Sequence, residues 1–271
     1  MLFRSAPREV PSEARRDPRG VRIQVLTQED AFYIPRILDL LFERRADVVG
    51  VALVPGELQP GHVQRYLRMM GVRDFALQLL NLAWHRAMDL LSRFVRLPHS
   101  YSVAGAARRA HVPCEHVPRV NTPEFLVALR ARGVELVVSV ACPQKLQPEL
   151  LALPAKGCIN LHGALLPRYQ GVLPSFWVLA KGERETGVTV HWMDEQLDHG
   201  DILLQRTLAI EPRDTVHSLV LRSKVGVGRQ LLVEAISAIE RGDAPRQPMD
   251  ASQASYRDRR ASCRERVYSS V

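Results

Sequence analysis

Three short runs of branched apolar residues constrain this chain more than anything else: Val21 to Leu26, Val48 to Val54 and Leu136 to Val140. The second reads Val-Val-Gly-Val-Ala-Leu-Val, with no polar side chain, so neither of its faces suits water. A strand apolar on both sides belongs in a parallel sheet with helices packed on both faces. Between the first two runs, Ile34, Ile37, Leu38, Leu41 and Phe42 recur at helical spacing, and Asp30 stands where an N-cap belongs. Strand, helix and strand in about 35 residues make a βαβ unit. The pattern resumes with a short strand at Cys114 to Val117 and a helix from Thr122 to Arg132, stopped by Gly133. The spacing therefore predicts an α/β domain with a parallel-dominated sheet.

One stretch departs from the alternation. From Val72 to Leu97 the chain is apolar and helical, with Phe75, Leu79, Leu82, Met88, Leu91 and Val95 among its apolar positions and no Gly or Pro before Pro98. A packed insertion, a dimer helix and a lid all fit; the packed insertion is the commonest fate of such a helix. A closing helix is expected from Asp214 to Arg241, with Gly226 and Gly228 as places to kink.

The 271 residues are 46% hydrophobic and 24% charged, enough to bury one large core. No apolar run reaches 18 residues, which on length excludes a membrane-spanning helix. The net charge of +8 comes from arginine; lysine occurs only at 145, 156, 181 and 224. The arginines form scattered doublets without interleaved aromatics, which gives nucleic-acid binding little support. Cys114, Cys142, Cys158 and Cys263 include no C-x-x-C pair, and no secretory signal is present, so they read as reduced thiols of a cytoplasmic protein. No metal site with recognisable ligand spacing is present.

The two ends read differently from the rest. Leu2 to Ser5 fits the translation of CTC TTC CGA TCT, and Ala261 to Val267 that of GCG TCG TGT AGG GAA AGA GTG, both sequencing-adapter DNA. On this reading residues 1–5 and about 258–271 are foreign, and the natural protein continues past about Tyr256. Residues 1–20 are expected to be a disordered lead-in, 21–245 a catalytic domain with its insertion at 72–97, and 246–271 a tail.

The chemistry concentrates between Gly157 and Gln205. Cys158 to Leu161 is β-rich, so Asn160 and His162 share a face at a strand end. Pro167, Gly171 and Pro174 then force an irregular loop. In open α/β sheets ligands bind beyond the carboxyl ends of strands. There an amide can donate to an oxyanion and an imidazole can exchange protons near neutral pH. Alone, such a pair reads as a loop cap and a satisfied histidine. Asp198 and Asp201 flank Gly200 in a turn-forming Leu-Asp-His-Gly-Asp, for which a structural role is the default.

Taken together, the N-x-H strand end, the Leu165-Leu166-Pro167 loop with Gly171 after it, the Thr186-Gly187-Val188-Thr189 strand and the Leu197-Asp198-His199-Gly200-Asp201 loop resemble the 10-formyltetrahydrofolate-dependent formyltransferase family, in order and in spacing. The resemblance implies a Rossmann-like fold and a catalytic set of Asn160, His162 and Asp198. It implies oxyanion stabilisation by Asn160 and His162, with Asp198 orienting His162 and favouring its protonated form. Asp198 or a water would collect the proton of the amine. No metal is required. The folate pocket would draw on Val140 and Cys142 in the 140–145 segment, on Leu165, Leu166 and Pro167, and on Met193, Leu197 and Asp201. His191 also matches a recurrent family position; alternation sets it opposite Val188 and Val190, where it lines the site or serves as a structural histidine.

Three departures concern the acceptor. Thr27-Gln28-Glu29-Asp30 replaces the Gly-Ser-Asn phosphate loop of the enzymes that formylate glycinamide ribonucleotide, and two acids repel phosphate. Pro55-Gly56-Glu57-Leu58-Gln59-Pro60 replaces the basic, Gly-rich loop of the methionyl-tRNA enzymes, whose C-terminal RNA-binding domain is also not seen in this sequence. Gly163-Ala164 replaces a more usual small-residue-plus-Ser pair. The favoured expectation is formyl transfer from 10-formyltetrahydrofolate to the primary amine of a small molecule. The alternatives are methionyl-tRNA as acceptor, a folate-binding module without turnover, and a hydrolase releasing formate.

Overall fold

The three apolar runs lie side by side in the computed structural model, which describes residues 20–44, 47–56 and 62–257. The lead-in, both adapter-like ends and Glu57 to Pro60 fall outside the described residues. Strand β1 (Ile23–Thr27) is followed by α1 (Ile34–Arg44), β2 (Val48–Leu53), α2 (His62–Leu91), α3 (Val103–Arg109), β3 (Cys114–His116) and α4 (Pro123–Ala131). Then come β4 (Leu136–Val140), α5 (Pro148–Leu151), β5 (Cys158–His162), β6 (Gln170–Gly171), α6 (Pro174–Ala180), β7 (Glu185–Trp192) and β8 (Ile202–Ala209). Helix α7 (Val216–Val220), a π-helical stretch (Leu221–Gly228), α8 (Arg229–Arg241) and β9 (Tyr256–Arg257) close the described chain.

One seven-stranded sheet runs in the order β3-β2-β1-β4-β5-β7-β8. The first five strands are parallel, and β7 and β8 continue antiparallel. This is the Rossmann-like, parallel-dominated sheet that the apolar runs predict. Side-chain alternation divides the core between its faces. Val25, Val51 and Val138 pack with α1, α3 and α8; Leu26, Ala52 and Val137 pack with α4 and α5. Strand order reverses between β1 and β4, and there Thr27 Oγ1 donates to the Val140 carbonyl at 2.7 Å. The carboxyl ends of β1, β4 and β5 thus meet at the switch point, where such sheets bind ligands.

Local signals act as read. Asp30 Oδ1 accepts from the backbone N–H groups of Phe32, Tyr33 and Ile34, capping α1. Thr122 caps α4, and Gly133 follows that helix at φ 60.

Three elements differ from expectation. Helix α2 begins at His62 rather than Val72, and it is not packed as an insertion: Val72, Leu77, Leu80, Trp84 and Leu90 are all more than half exposed. The closing helix widens instead of kinking. Gly228 runs so close to the sheet that an added Cβ would sit 3.4 Å from Leu161 and Val188, and the backbone around it takes π geometry. Residues 246–257 do not form a free tail. Gln247 pairs with Ile202, and β9 pairs with β6.

The loop leaving β5 is tied down by one hydroxyl. Thr189, fully buried on β7, donates to the Ala164 carbonyl at 2.7 Å and accepts from Leu166 N–H at 3.1 Å and Gln205 Nε2 at 2.8 Å. Thr189→Val keeps the shape but strands these buried polar groups, at a cost of roughly 2–3 kcal/mol. Thermal or urea denaturation measures it; an unchanged melt would show that the loop does not depend on this contact.

Candidate active site

Asn160 and His162 leave β5 on one face, beside His191 and Thr189 of β7, through the register pairs Asn160 with His191 and His162 with Thr189. Asp198 approaches from the β7–β8 connection in a left-handed conformation, φ 52. Gly200 makes that turn possible: a Cβ there would meet the Trp192 carbonyl oxygen at 2.1 Å.

All three expected catalytic residues converge on the Asp198 carboxylate, and His191 joins them. Oδ2 accepts from Gly171 N–H at 2.9 Å and faces His162 Nδ1 at 3.4 Å. Oδ1 accepts from Asn160 Nδ2 at 3.3 Å and lies 3.5 Å from His191 Nε2. The Asp198 carbonyl accepts from Gln170 Nε2 at 2.9 Å. Asp198, His162 and His191 are all buried. Among the described residues no group of three His, Cys, Asp or Glu could hold a metal ion.

Donors and acceptors fix the imidazoles. His191 Nδ1 lies 2.8 Å from the Trp192 carbonyl, which can only accept, so Nδ1 carries the proton. Nε2 then takes a hydrogen bond from Asn160 Nδ2 at 3.1 Å. This contact sets the plane of the Asn160 amide. His162 Nε2 donates to the Tyr169 carbonyl at 2.9 Å, which leaves Nδ1 against Asp198.

Burial decides the charges. It pushes the Asp198 carboxyl up, but His162, His191 and the Gly171 N–H outweigh it and hold the group well below the usual carboxylate range. Burial pushes His162 below the ordinary histidine value of 6.5; Asp198 opposes this and the Lys224 ammonium adds to it. Asp198 favours the protonated form of His162 as expected, yet the net shift is downward. The carboxylate does pull upward, but desolvation of the imidazolium is larger.

Lys224 is the functional residue that the sequence reading missed. It sits in the π-helical stretch, and its stem lies over Gly163: a Cβ on Gly163 would be 2.6 Å from Lys224 Cε. Burial pushes its ammonium down, against the pull of Asp198 and Asp30. A signal existed, since a chain that writes its basic charge as arginine has one of its four lysines here, in the closing helical segment.

The expected folate contacts surround this centre unevenly. Val140 is buried in the core and offers a ligand little but backbone. Leu166 is likewise buried, while Leu165 and Pro167 are half-buried, with the Leu166–Pro167 peptide cis. Cys142 and Met193, both half-buried, pack on one cluster, and Leu197 is 46% exposed. Asp201 is half-buried, and its carbonyl accepts from Trp192 N–H at 2.8 Å. A cavity of about 470 Å³ opens beside the centre, lined by Glu29, Asp30, Arg86, Asp89, Arg93 and Tyr101 among others, and by none of the catalytic set.

A profile of the formyl transferase family matches residues 105–236, which include the whole centre. The chain belongs to the formyltransferase family. It is 41% identical over 202 residues to the methionyl-tRNA formyltransferase of Moorella thermoacetica, covering 70% of this chain and 64% of that protein. With the same enzyme of Heliobacterium modesticaldum it shares 39% over 213 residues, 74% of this chain and 66% of that one. It thus spans just under two thirds of these relatives. Among solved structures, glycinamide ribonucleotide transformylase 1 of Symbiobacterium toebii superposes with a TM-score of 0.60 at 21% identity, covering 89% of this chain and all of that one. The Helicobacter canadensis N-formyltransferase, crystallised with folinic acid and dTDP-3-aminofucose, gives 0.58 at 18% identity, covering 89% and 71%. These two share the formyltransferase fold with it.

The charge assignment is testable without turnover. NMR titration of the imidazoles is expected to place His162 below 6.5. Lys224→Met should raise that midpoint, because it removes a downward influence, and Asp198→Asn should lower it further. A midpoint above 6.5 in the wild-type chain would refute the dominance of burial.

Proposed function

We propose that this formyltransferase moves a formyl group from 10-formyltetrahydrofolate to an amine, using Asn160, His162 and Asp198 as its catalytic set. The observation that carries the reading is the convergence of Asn160, His162 and His191 on one buried carboxylate at the carboxyl end of β5. The folate donor supplies an activated formyl carbon, and the side chains of Cys142, Met193 and Leu197 are where its ring system would lie.

The residues divide the work as follows. When an amine adds to the formyl carbon, the formyl oxygen becomes negative and needs donors. Asn160 Nδ2 has two hydrogens, one held by His191 at 3.1 Å and one by Asp198 at 3.3 Å. The longer bond is the one a substrate oxygen displaces, and the His191 bond keeps the amide in plane as it does so. The proton released by the amine goes to His162. Its Nδ1 faces Asp198, so taking the proton there turns a lone pair against a carboxylate into an ion pair. Asp198, held ionised, is too weak a base to keep the proton itself. As the intermediate collapses, the bond between the formyl carbon and the folate nitrogen breaks, and that nitrogen leaves as an amine that takes the proton back from His162.

For the acceptor, the curated relatives point to methionyl-tRNA in place of the small amine that the loop substitutions suggest. The cavity beside Asp30 is mixed in charge, with Glu29, Asp30 and Asp89 opposite Arg86 and Arg93, so an anionic acceptor would have to enter on the arginine side. The cavity's acids are already engaged: Glu29 accepts from Val103 N–H, Asp30 caps α1, and Asp89 accepts from Ser102. The Arg86 and Arg93 side chains have no ion pair among the described residues, which leaves two guanidinium groups to meet phosphate.

The test incubates the protein with 10-formyltetrahydrofolate and methionyl-tRNA and assays the N-formyl product. Asn160→Ala is expected to lower kcat roughly a hundredfold or more with little change in donor affinity. The kcat/KM for tRNA should fall steeply with salt, and Arg86→Ala and Arg93→Ala should flatten that slope. Formate as the sole product would favour a hydrolase. Donor binding without any turnover would favour a folate-binding module.

A further inference from the structure

Helix α2 faces the domain the wrong way round for an ordinary amphipathic helix. Its inward face is mixed, with Leu82 and Leu90 beside several polar side chains at the cavity. The His85 ring stacks edge-on against Phe32 at 4.6 Å, Asp89 accepts from Ser102 Oγ at 2.6 Å and pairs with Arg108 at 3.5 Å, and Arg86 and Arg93 line the cavity. The opposite face is apolar. Leu77, Leu80, Trp84, Ala87, Leu91 and Phe94 follow one another at steps of 3, 4, 3, 4 and 3 residues, the period of a coiled-coil seam. Every one of them is exposed, with Leu80 at 67%, Trp84 at 60% and Phe94 at 81%. Bonds from Val95 and Ser92 N–H to Leu91 and Met88 carry the helical turn past Leu91 and bring Phe94 onto the same seam.

We propose that α2 is a homodimerisation helix that pairs antiparallel with α2 of a second copy along this seam. Three observations favour a second copy as the occupant. The seam is flanked by Asn81, Ala83, Met88 and Leu90, without a charge, so two identical helices meet no like-charge repulsion; Arg86, Asp89 and Arg93 lie on the other face. The sizes match under a two-fold axis placed between Trp84 and Ala87: Trp84 meets Ala87 of the second copy, Leu80 meets Leu91, and Leu77 meets Phe94. The central pair sets large against small and the next sets leucine against leucine, while at the ends Phe94 lies over Leu77; the interface is self-complementary, as a two-fold requires. Finally, a buried Leu- to Phe-sized side chain removes roughly 60–120 Å² from water. The seam and its flanks so offer roughly 500–800 Å² per copy, comparable to one side of a stable interface.

Sedimentation velocity of the full chain tests this. A species of twice 30.5 kDa is expected at micromolar concentration. Leu80→Glu and Trp84→Glu, at exposed positions, should each weaken it at least roughly thirtyfold, with circular dichroism melts unchanged. A mixture of Leu80→Cys and Leu91→Cys chains should cross-link through a short bismaleimide well above either variant alone. A wild-type monomer throughout, a dimer indifferent to both glutamates, or Leu80→Cys cross-linking to itself as readily as to Leu91→Cys would each overturn the proposal.

Discussion

A carboxylate taken out of water must be held by hydrogen bonds or it protonates, and the centre of this molecule is arranged around holding one. Asp198 is buried with no arginine or lysine in contact. Its hydrogen-bond donors are the Gly171 N–H and the Asn160 amide, and His162 and His191 face it from either side, one against each oxygen. These groups come from three separate parts of the chain. Gly171 lies on β6, which pairs with β9. Asn160 and His162 stand on β5, and His191 on β7. The carboxylate therefore reports whether strand, loop and C-terminal segment are all in place. Ser255 extends the chain of support: its hydroxyl accepts from Tyr169 N–H at 2.8 Å, and the Tyr169 carbonyl holds His162.

Burial also sets the proton chemistry. Desolvation acts on three groups at once, raising Asp198 and lowering His162 and Lys224. Only for Asp198 do the neighbours win, because two imidazoles and a backbone N–H act on one group. His162 has the Asp198 carboxylate and the Tyr169 carbonyl in its favour, and burial, the Lys224 ammonium and His191 against it. The outcome is an ionised acid beside an imidazole poised to accept, which suits a reaction that must strip a proton from an amine without paying to form the imidazolium beforehand.

How much of this could be read from the residues depends on whether a signal is local. The sheet was legible because strands buried on both faces are mostly apolar, so Val48 to Val54 and Leu136 to Val140 declare themselves even with Ser139 among them. Alternation put Asn160 and His162 on one face, but alone the pair read as a loop cap and a satisfied histidine, and only the resemblance singled it out. Asp198 needed the resemblance, because a Leu-Asp-His-Gly-Asp turn looks structural until the fold brings it to β5. What stayed hidden rests on long-range placement. Lys224 is 62 residues from His162 and reaches it only because the π-helical turn brings the helix against β5 and β7. The direction of the His162 shift depends on the depth of burial, which no motif encodes. The return of residues 246–257 to the Tyr169 loop combines backbone pairing with long-range contacts of Arg246 and Ser255, none of which a local motif encodes.

Helix α2 shows the same limit from the other side. Its apolar content was plain, but apolar content does not say which way a helix faces. The chain turns the more polar face to the domain, where Leu82, Arg86, Asp89, Leu90 and Arg93 build a cavity wall next to Asp30. A helix so used has no inward place for Leu80, Trp84 and Phe94. Hydrophobic surface of that extent on one side and a charged cavity wall on the other are therefore two consequences of one choice. Covering the first also steadies the second, because a helix clamped along its outer seam has fewer ways to lean away from the ring of His85 on Phe32. Pairing and acceptor binding would then be coupled through a single rigid element with no contact between the two surfaces.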